Sequence, residues 1–378
     1  MKAGLLGRKL GHSLSPQIHR IFGDYEYRLY EREPEAVADF VRHGDLDFFN
    51  VTIPYKRAVA ELCDELSPLA QRLGNVNFVR RCSDGTLYGD NTDAFGVERL
   101  LDSVGAEVRG RTCAVLGAGG AATTVKAVLE DRGAARVDFV RRGEVPDRSA
   151  CLIVNATPVG MFPDVDGVRI DIRDYPACET VLDLVYNPSP TRLVREALAS
   201  GKRAEDGLVM LIAQAWRAYR LATDMSHETR EVQADIYLYG PPASGKSTLG
   251  RKLAAATGLK LVDLDAEIVK RAGRPIPEIF ATEGEKAFRA LEKGELERIS
   301  RSRGQVVALG GGALLDPEAR RIAETTGRVV VLSCPVETLI ARLSGDSRPL
   351  ALDPEALRRL VASRREHYAS FANGIEMV

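Results

Sequence analysis

The residues best suited to chemistry by type and spacing lie in a glycine-rich segment at 240–247, GPPASGKS. This segment fits the pattern G-x-x-x-x-G-K-[ST], in which successive backbone N–H groups form a nest for phosphate oxygens. In such a loop the Lys246 ammonium reaches the outer phosphates of a nucleotide, and the Ser247 hydroxyl helps to hold Mg²⁺. The pattern therefore predicts a nucleotide-binding site formed by Gly240, Ser244, Gly245, Lys246, Ser247 and Thr248.

A second glycine-rich segment, GAGGAA at 117–122, has the spacing of a dinucleotide-binding turn at the start of a helix. The residues expected to contact the dinucleotide are Gly117, Ala118, Gly119, Gly120 and Ala121. After the next strand, where an NAD site would place Asp or Glu, the chain has Arg141 and Arg142. Two cations suit a 2′-phosphate and favour NADP. The alternatives are a glycine turn used only for packing and arginines in a solvated turn.

Both glycine segments need a strand before them and a helix after them, and the sequence supplies these elements. From residue 111 onward, short β-branched runs alternate with helical stretches, as in parallel α/β units. The predicted strands are 112–116, 136–140, 151–155 and 180–184 in one series and 236–239, 260–262, 305–309 and 328–332 in another. Helices are predicted at 121–130 and 247–256. Between the series, residues 223–235 are polar and almost without apolar periodicity, which indicates a linker.

Length and composition limit the classes of protein to which the chain can belong. Its 378 residues allow two or three domains, and 45% hydrophobic residues provide a core for each. Lys plus Arg number 52 against 53 Asp plus Glu, so the charge of -1 gives no field for nucleic acid or an acidic membrane. The six cysteines contain no C-x-x-C pair, and no segment approaches the length of a membrane span. We therefore expect a cytoplasmic protein with reduced thiols, whose oligomeric state the sequence leaves open.

Six ordered motifs in the first 224 residues carry a resemblance to a known family. They are GHSLSP at 11–16, NVTIPYK at 50–56, GDNTD at 89–93, NATPVGM at 155–161, DLVYNP at 183–188 and GLVMLIAQ at 207–214. In this order they resemble shikimate dehydrogenase, from about residue 4 to about residue 224. The resemblance implies NADPH-dependent reduction of 3-dehydroshikimate to shikimate.

The same resemblance implies roles for individual residues. Lys56 and Asp93 are the implied catalytic pair, because hydride transfer builds negative charge on the carbonyl oxygen, which an ammonium can stabilise and then protonate. The residues implied to bind the substrate are Ser13 and Ser15 at its carboxylate, Thr52, Asn77, Asp93 and Gln214 at its ring hydroxyls, and Tyr186 beside the carboxylate and the nicotinamide. The residues implied to contact NADP beyond the glycine turn are Arg141, Asn155, Thr157, Met161 and Gly207.

The chain departs from this family's pattern at two places. The segment GNVNF at 74–78 resembles G-A-x-N-T, but Asn75 replaces Ala and Phe78 replaces Thr. Because Asn77 is kept, we expect altered packing beside the substrate rather than a lost contact. The cofactor turn reads VRR at 140–142, where the family's NADP users have N-R-T, and it keeps only the arginine.

The motifs that follow residue 235 resemble another family, shikimate kinase. They are DLD at 263–265, GRPIPEIF at 273–280, GE at 284–285, FR at 288–289 with Glu292, GGG at 310–312, RPL at 348–350 and RREHY at 364–368. The implied ligands of shikimate are Asp265 as base or orienter of the acceptor hydroxyl, Arg289 and Arg365 as a clamp on the carboxylate, and the backbone of Gly310, Gly311 and Gly312. Asp263 would assist Mg²⁺ through water, and Arg348 would lie on a lid over the phosphate of ATP.

Together the motifs predict an α/β protein with three parts and a linker. Residues 1–100, completed by a helix near 208–224, form an α/β substrate lobe, and residues 101–207 form a Rossmann-type NADP lobe. Residues 225–235 are the linker, and residues 236–378 form a P-loop domain of parallel α/β type, like the nucleoside-monophosphate kinases. The chain stops at 374–378, where that family usually continues through an adenine-contacting loop, so we expect weaker adenine binding.

The leading functional hypothesis is a bifunctional enzyme that makes shikimate with NADPH and phosphorylates its 3-hydroxyl with ATP and Mg²⁺. One alternative is a quinate or related hydroxy-acid dehydrogenase fused to another small P-loop kinase, such as a gluconate or nucleoside-monophosphate type. Another is a C-terminal nucleotide-binding module without catalysis. Its partners are expected to be small-molecule substrates, with no nucleic acid and no membrane.

Overall fold

The structure, a computed structural model, describes residues 1–11, 13–223, 234–344 and 353–376. Contacts divide the chain into two compact units, Met1–Glu228 with Ala255–Thr257, and Thr229–Ala254 with Gly258–Val378. Arg348 and most of the predicted linker lie outside the described residues. No helix in the described part of the chain is long and apolar enough to cross a membrane.

The first sheet of the first unit contains six strands. They are β1 (Lys2–Gly7), β2 (Glu26–Glu31), β3 (Phe48–Val51), β4 (Glu65–Leu66), β5 (Phe78–Arg81) and β6 (Leu87–Asp90). They lie in the order β2-β1-β3-β5-β6-β4, and β5 is antiparallel to both of its neighbours. The helices along this part are α1 (Ser15–Phe22), α2 (Val37–His43), α3 (Lys56–Ala60), α4 (Pro68–Leu73) and α5 (Thr92–Ser103), with a 3-10 turn at Pro34–Ala36.

This sheet is buried on both faces. Successive side chains of a strand point to opposite faces, and accordingly Phe48 and Phe49 of β3 belong to different hydrophobic clusters. One cluster joins Phe48 to Phe78 and Ala218, and the other joins Phe49 to Val51. The adjacent strands β1 and β3 are accordingly the most buried of this sheet, whereas β2 at its edge is largely exposed.

The second sheet of the first unit is entirely parallel. Its strands are β7 (Thr112–Leu116), β8 (Arg136–Val140), β9 (Leu152–Asn155), β10 (Thr180–Asp183) and β11 (Arg203–Glu205). The helices are α6 (Gly120–Asp131), α7 (Arg192–Ala199) and α8 (Leu208–Ala222), with a 3-10 turn at Ile172–Asp174. The strand order is β11-β10-β9-β7-β8, so the direction of winding reverses between β7 and β9. Ligands of such sheets bind at this reversal, outside the carboxyl ends of the strands. Helix α8 then returns to pack on α5 and α1.

The second unit also has a parallel sheet of five strands. They are β12 (Asp235–Tyr239), β13 (Lys260–Asp263), β14 (Gln305–Ala308), β15 (Gly327–Ser333) and β16 (Gly374–Glu376), in the order β13-β14-β12-β15-β16. The helices are α9 (Lys246–Thr257), α10 (Leu264–Ala272), α11 (Ile276–Ser300), α12 (Pro317–Thr326), α13 (Val336–Ser344) and α14 (Pro354–Ala369). The central strand β12 is fully buried, and the glycine-rich loop follows it directly. The predicted α/β fold class, with a Rossmann-type lobe and a P-loop domain, is confirmed.

Candidate active sites

Lys56 and Asp93 form an ion pair in the first unit. Lys56 is the first residue of α3, and Asp93 lies in the first turn of α5. Their side chains are 16% and 10% exposed, so the pair is largely shielded from water yet still reachable by a small molecule. An ammonium held against a carboxylate in this way can stabilise a developing oxyanion and give it a proton.

Asn77 fixes the Asp93 carboxylate from another element. Its Nδ2 donates to Asp93 Oδ1 at 2.8 Å and to Thr92 Oγ1 at 3.0 Å, while its Oδ1 accepts from the Thr92 N–H at 2.6 Å. Asn91 caps the same helix by accepting from the Ala94 N–H at 3.2 Å. The structure thus brings together three of the predicted site residues, Lys56, Asn77 and Asp93, through contacts between a loop and two helices.

The two departures from the family pattern have separate consequences. Asn75 is buried; it accepts from Asn91 Nδ2 at 2.8 Å and donates to the Leu73 carbonyl at 3.1 Å. It therefore supports the residue that caps α5. Phe78 is also fully buried and lies in the apolar cluster of Phe48. Neither side chain replaces the contacts of Asn77 with Asp93.

The predicted carboxylate-binding serines lie at the start of α1. Ser13 Oγ is 3.1 Å from Ser15 Oγ and accepts from the Ser15 N–H at 3.2 Å. Tyr186 reaches them from the second lobe: burial raises the pKa of its phenol, while the Ser13 hydroxyl and the Leu14 backbone act to lower it. The structure therefore brings Tyr186 to Ser13 and Leu14, next to Ser15.

Thr52 and Gln214 are less directly connected. Thr52 follows β3, is half-buried, and donates its N–H to the Leu6 carbonyl at 2.9 Å. Gln214 is buried on α8 and packs against Gly96 of α5, but its Nε2 donates to the Leu211 carbonyl of its own helix at 2.9 Å. Both residues lie on segments that form this site, but neither makes a hydrogen bond to Lys56, Asn77 or Asp93 in the described part of the chain.

The dinucleotide turn lies at the reversal of the second sheet. Gly117 has φ of +111° and donates its N–H to the Val140 carbonyl at 2.9 Å, and a Cβ on it would lie 3.1 Å from the Thr157 methyl. This turn therefore sits between the ends of β8 and β9. A Cβ added to Gly119 or Gly120 would meet no atom within 4 Å, so the space above the turn is open.

The start of α6 fits a pyrophosphate. The first bond within the helix runs from the Thr123 N–H to the Gly119 carbonyl at 3.0 Å, so the N–H groups before it have no helical acceptor. These belong to Gly120, Ala121 and Ala122, next to Ala118 in the turn. Free N–H groups and the helix dipole at one place bind anions, so these residues would hold the pyrophosphate of NADP.

The amide of Asn155, a predicted cofactor contact, is hydrogen-bonded within its own lobe. Its Nδ2 donates to Asp183 Oδ1 at 2.8 Å and to the Val159 carbonyl at 3.2 Å. Its Oδ1 accepts from the Thr157 hydroxyl at 2.6 Å and the Thr157 N–H at 3.1 Å. Because its amide is buried and has protein partners for both its oxygen and its nitrogen, Asn155 shapes the loop that carries Thr157.

Asp183, which the sequence analysis quoted only as the start of a motif, is the centre of this network. Its carboxylate also accepts from the Thr191 hydroxyl at 2.8 Å and the Val185 N–H at 3.0 Å. Burial raises its pKa to about 6, although these donors act to lower it. A buried carboxylate at the reversal of a doubly wound sheet is a tertiary feature, which the short motif alone does not reveal.

The remaining two cofactor predictions, Met161 and Gly207, lie on segments beside this edge. Met161 is 44% exposed, and its N–H donates to the Pro158 carbonyl at 3.1 Å. Gly207 precedes α8 and donates to the Val185 carbonyl at 2.9 Å, and a Cβ on it would lie 2.2 Å from the Leu184 carbonyl oxygen. Only glycine allows this approach of the two segments.

In the second unit, the P-loop is held open by left-handed residues. Gly240, Ala243 and Gly245 have φ of +136°, +59° and +92°. Lys246 folds back on the loop, and its Nζ donates to the Gly240 carbonyl at 2.9 Å and the Pro241 carbonyl at 2.8 Å. Burial lowers the pKa of Lys246 to about 8, although Asp265 and Asp263 act to raise it.

Other polar groups of the loop are free for a nucleotide. Ser244 Oγ is buried and has no hydrogen-bond partner among the described residues. Ser247 and Thr248 lie exposed in the first turn of α9. An orphaned hydroxyl and a helix N-terminus at one loop fit the phosphates of ATP, with Ser247 as the residue that would hold Mg²⁺.

Asp263 and Asp265 stand at the end of β13. Asp263 caps α10 by accepting from the Ala266 N–H at 3.2 Å. The surrounding protein raises the pKa of Asp265 even though its side chain reaches solvent; Asp263 adds to the rise, and Lys246 and Arg289 act against it. Asp265 therefore lies near both the P-loop lysine and the predicted substrate arginine, and its raised pKa suits a group that accepts a proton.

Arg289 is held by two carboxylates of its own helix. Its Nη1 donates to Glu292 Oε2 at 2.5 Å and its Nη2 to Glu285 Oε1 at 3.2 Å. Glu292 is 2% exposed, burial raises its pKa, and its Oε1 has no hydrogen-bond partner in the described part of the chain. A Cβ on Gly310 would lie 2.6 Å from that oxygen, and one on Gly312 would lie 2.7 Å from Arg289 Nη2. Because these two glycines have no side chain, Arg289 and Glu292 can lie against the backbone of the segment.

Arg364, the neighbour of the predicted Arg365, is the arginine of α14 that contacts the glycine segment. Arg364 Nη1 donates to the Gly311 carbonyl at 2.9 Å, and the Tyr368 hydroxyl donates to the same oxygen at 2.7 Å. Arg365 is exposed. Residues four apart share one face of a helix, so the spacing of Arg364 from Tyr368 was the available signal.

A third arginine approaches the P-loop from α13. Arg342 Nη1 donates to the Ala243 carbonyl at 3.4 Å. Its position six residues before Arg348 is the only feature of the sequence that could have pointed to it. Arg342 is therefore a further candidate for contact with the nucleotide.

Comparisons with known proteins agree with this geometry. A family model described as shikimate dehydrogenase substrate binding domain matches residues 5–79, and one described as shikimate kinase matches residues 242–377. Shikimate dehydrogenase (NADP(+)) of Clostridium perfringens is 31% identical over 262 residues, which cover 62% of this chain and 96% of the relative. That of Salinibacter ruber is 37% identical over 260 residues, covering 58% and 91%. The crystal structure of shikimate 5-dehydrogenase from Thermus thermophilus, in complex with NADP(H) and shikimate, is 33% identical with a TM-score of 0.54, covering 59% of this chain and 94% of that one.

Proposed function

Because the chain belongs to the shikimate dehydrogenase family and carries a shikimate kinase domain at 242–377, we infer that it catalyses two consecutive reactions. The first unit reduces 3-dehydroshikimate to shikimate with NADPH, and the second phosphorylates shikimate with ATP and Mg²⁺. The comparisons confirm the two predicted families, both activities and NADP as the cofactor. The roles of individual residues are proposals that rest on the geometry of the two sites.

In the first unit we assign proton transfer to Lys56. NADPH, when bound, supplies the hydride for the carbonyl carbon. The carbonyl oxygen then gains negative charge, and the Lys56 ammonium stabilises this charge and delivers a proton to it, which completes the hydroxyl. Asp93 and Asn77 keep the ammonium in place, and Ser13 and Ser15 would hold the substrate carboxylate.

In the second unit we assign the acceptor hydroxyl to Asp265. Its carboxylate would orient the 3-hydroxyl of shikimate and take its proton as the oxygen attacks the terminal phosphorus. Arg289 and Arg364 would bind the shikimate carboxylate, and Lys246 would neutralise charge on the transferring phosphoryl group. Ser247 and Asp263 would hold Mg²⁺, which supplies further charge neutralisation when bound.

One observation carries this proposal: each unit has a nucleotide loop at the carboxyl edge of a parallel sheet, with a charged cluster suited to shikimate beside it. The Lys56–Asp93 pair with Asn77 serves one site, and Asp265 with Arg289 serves the other. Shikimate is the product of the first reaction and the substrate of the second. A shikimate site in each unit therefore explains why one chain carries both units.

The purified full-length chain tests the proposal in two steps. With shikimate and NADP⁺ it should form NADPH, and with shikimate, ATP and Mg²⁺ it should release ADP. Quinate should be a much poorer substrate in the first assay. A preference for quinate by orders of magnitude, or ADP release that does not depend on shikimate, would contradict the assignment of that unit.

A further inference from the structure

The turn after β8 is held by an arginine from a distant part of the sequence. Arg169, in the connection between β9 and β10, donates from Nη2 to the backbone carbonyl of Arg141 at 2.8 Å. The two residues are 28 positions apart, so the fold and not the local sequence makes this contact. Arg141 is the residue on which 2′-phosphate recognition was predicted to depend.

This turn stands where the adenosine ribose of a dinucleotide arrives. Val140, at the end of β8, accepts from the N–H of Gly117 in the pyrophosphate turn at 2.9 Å. In doubly wound sheets the ribose next to the adenine then reaches the residues that follow this second strand. Arg141 is fixed there: its N–H donates to Glu144 Oε2 at 2.7 Å, and its carbonyl accepts from the Glu144 N–H at 3.0 Å as well as from Arg169.

The positive charges at this turn outnumber the negative ones, since one carboxylate, that of Glu144, binds the Arg141 N–H. Arg141 and Arg142 are exposed and Arg169 is half-buried, and no carboxylate among the described residues forms an ion pair with any of their guanidinium groups. Elsewhere in the same lobe arginines are paired, as Arg136 is with Asp147 and Arg173 is with Asp171. Unpaired guanidinium groups around one backbone turn are suited to an anion with several oxygens.

We propose that Arg169 is a specificity-determining residue for NADP, which holds the Arg141 turn and adds its guanidinium charge to those of Arg141 and Arg142 at the 2′-phosphate site. The turn reads Val140-Arg141-Arg142 in this chain, so neither residue beside Arg141 is the Asn or Thr of N-R-T. A phosphomonoester carries close to two negative charges near neutral pH. The 2′-hydroxyl of NADH carries none, so Arg169 strengthens binding of NADPH selectively.

Fluorescence titration of the full-length chain with NADPH and with NADH measures this selectivity without turnover. Arg169→Ala should raise the Kd for NADPH about tenfold, the effect of losing one charge-assisted hydrogen bond, and change the Kd for NADH less than about twofold. Arg169→Lys keeps the charge without the planar fork and should fall between wild type and Arg169→Ala. The matched control is Arg173→Ala, an exposed arginine of the same connection that already pairs with Asp171; it should change neither Kd.

Two results would overturn the inference: equal weakening of NADPH and NADH, or no change in either. Trp216, the only tryptophan of the chain, is buried in the first unit and reports whether each variant is folded. If Arg169→Ala unfolds, the ratio of the two Kd values for Arg169→Lys decides, and an unchanged ratio refutes the role. The inference rests on the dehydrogenase function, but the two fail separately, because a wild type that binds NADPH selectively and does not oxidise shikimate contradicts only that function.

Discussion

The two candidate sites hold their charged groups in different ways. In the dehydrogenase site the partners come from separate elements: Lys56 from α3, Asp93 from α5 and Asn77 from the loop before β5. In the kinase site Arg289 is bound by carboxylates of its own helix, and Lys246 is bound by carbonyls of its own loop. Substrate can therefore enter the first site with its charges already placed, whereas in the second the nucleotide and shikimate must replace partners that are close in sequence.

The strongest test of this contrast is Lys56→Ala. Lys56 donates the proton in the reduction and takes it from the hydroxyl in the reverse reaction. Removing it should lower the kcat of shikimate oxidation by about 10²–10⁴-fold, because no other cationic side chain among the described residues pairs with Asp93. Initial rates of NADPH formation measure the effect. The ATP-dependent reaction of the same variant should be unchanged, which provides an internal control for folding.

Arg57→Ala is the matched control, since Arg57 follows Lys56 on α3 and is exposed. It should leave both reactions intact. Near-normal shikimate oxidation by Lys56→Ala would remove Lys56 from the chemistry, and a parallel loss of kinase activity would indicate misfolding rather than a lost donor.

The converse variant, Lys246→Ala, should lower kinase kcat by about 10²–10³-fold. The ammonium that now rests on the Gly240 and Pro241 carbonyls would no longer be available for the transferring phosphoryl group. Coupled measurement of ADP release tests this, with shikimate oxidation as the control activity. Arg251→Ala, an exposed residue of the same helix, should have no effect, and a kinase rate that survives in Lys246→Ala would show that the lysine is not part of the site.

A smaller effect is expected from the arginines of α14. Arg364→Ala should raise the KM for shikimate in the kinase reaction about 10–100-fold, the effect of losing a charge-assisted hydrogen bond, and change the KM for ATP much less. Arg365→Ala should leave both constants unchanged because its side chain is exposed. Steady-state rates at varied shikimate decide between the two residues. The opposite pattern, with the loss in Arg365→Ala, would restore the prediction from the sequence.

The different positions of Arg364 and Arg365 on α14 show what the sequence could and could not determine. The β-branched runs predicted most strands of the two parallel sheets to within one or two residues, since strands buried on both faces need such runs. Adjacent arginines, however, differ only in the phase of their helix, and the phase is set by packing. The same holds for Asn155: the resemblance implies a cofactor contact, but its hydrogen bond to Asp183 on a different strand is a tertiary contact that the motif does not reveal.

The smallest expected effect concerns Asp183. This carboxylate of the first unit is buried and accepts hydrogen bonds only from neutral donors, whereas Arg289 and Glu292 of the second unit pair with each other. Burial raises the pKa of Asp183 from 3.8 to about 6, so the folded chain binds its proton more tightly than the unfolded chain does. The contribution of Asp183 to stability is therefore greatest below about pH 4 and is lost as the pH rises through about 6. Asp183→Asn carries no charge at any pH and keeps an acceptor for Asn155 and Val185. We expect the unfolding free energy of the first unit, relative to this variant, to fall by on the order of 1–3 kcal/mol between pH 4.5 and pH 7.5.

Urea unfolding followed by Trp216 fluorescence measures this difference in the full-length chain, since the only tryptophan lies in the first unit. Other carboxylates titrate over the same range, but they are common to both proteins and cancel in the difference. Asp174→Asn, at an exposed position of the same lobe, should show no pH-dependent difference from wild type. If the difference between wild type and Asp183→Asn stays constant with pH, the carboxylate is ionised in the folded state throughout, and its hydrogen bonds from Asn155, Thr191 and Val185 outweigh the cost of burial.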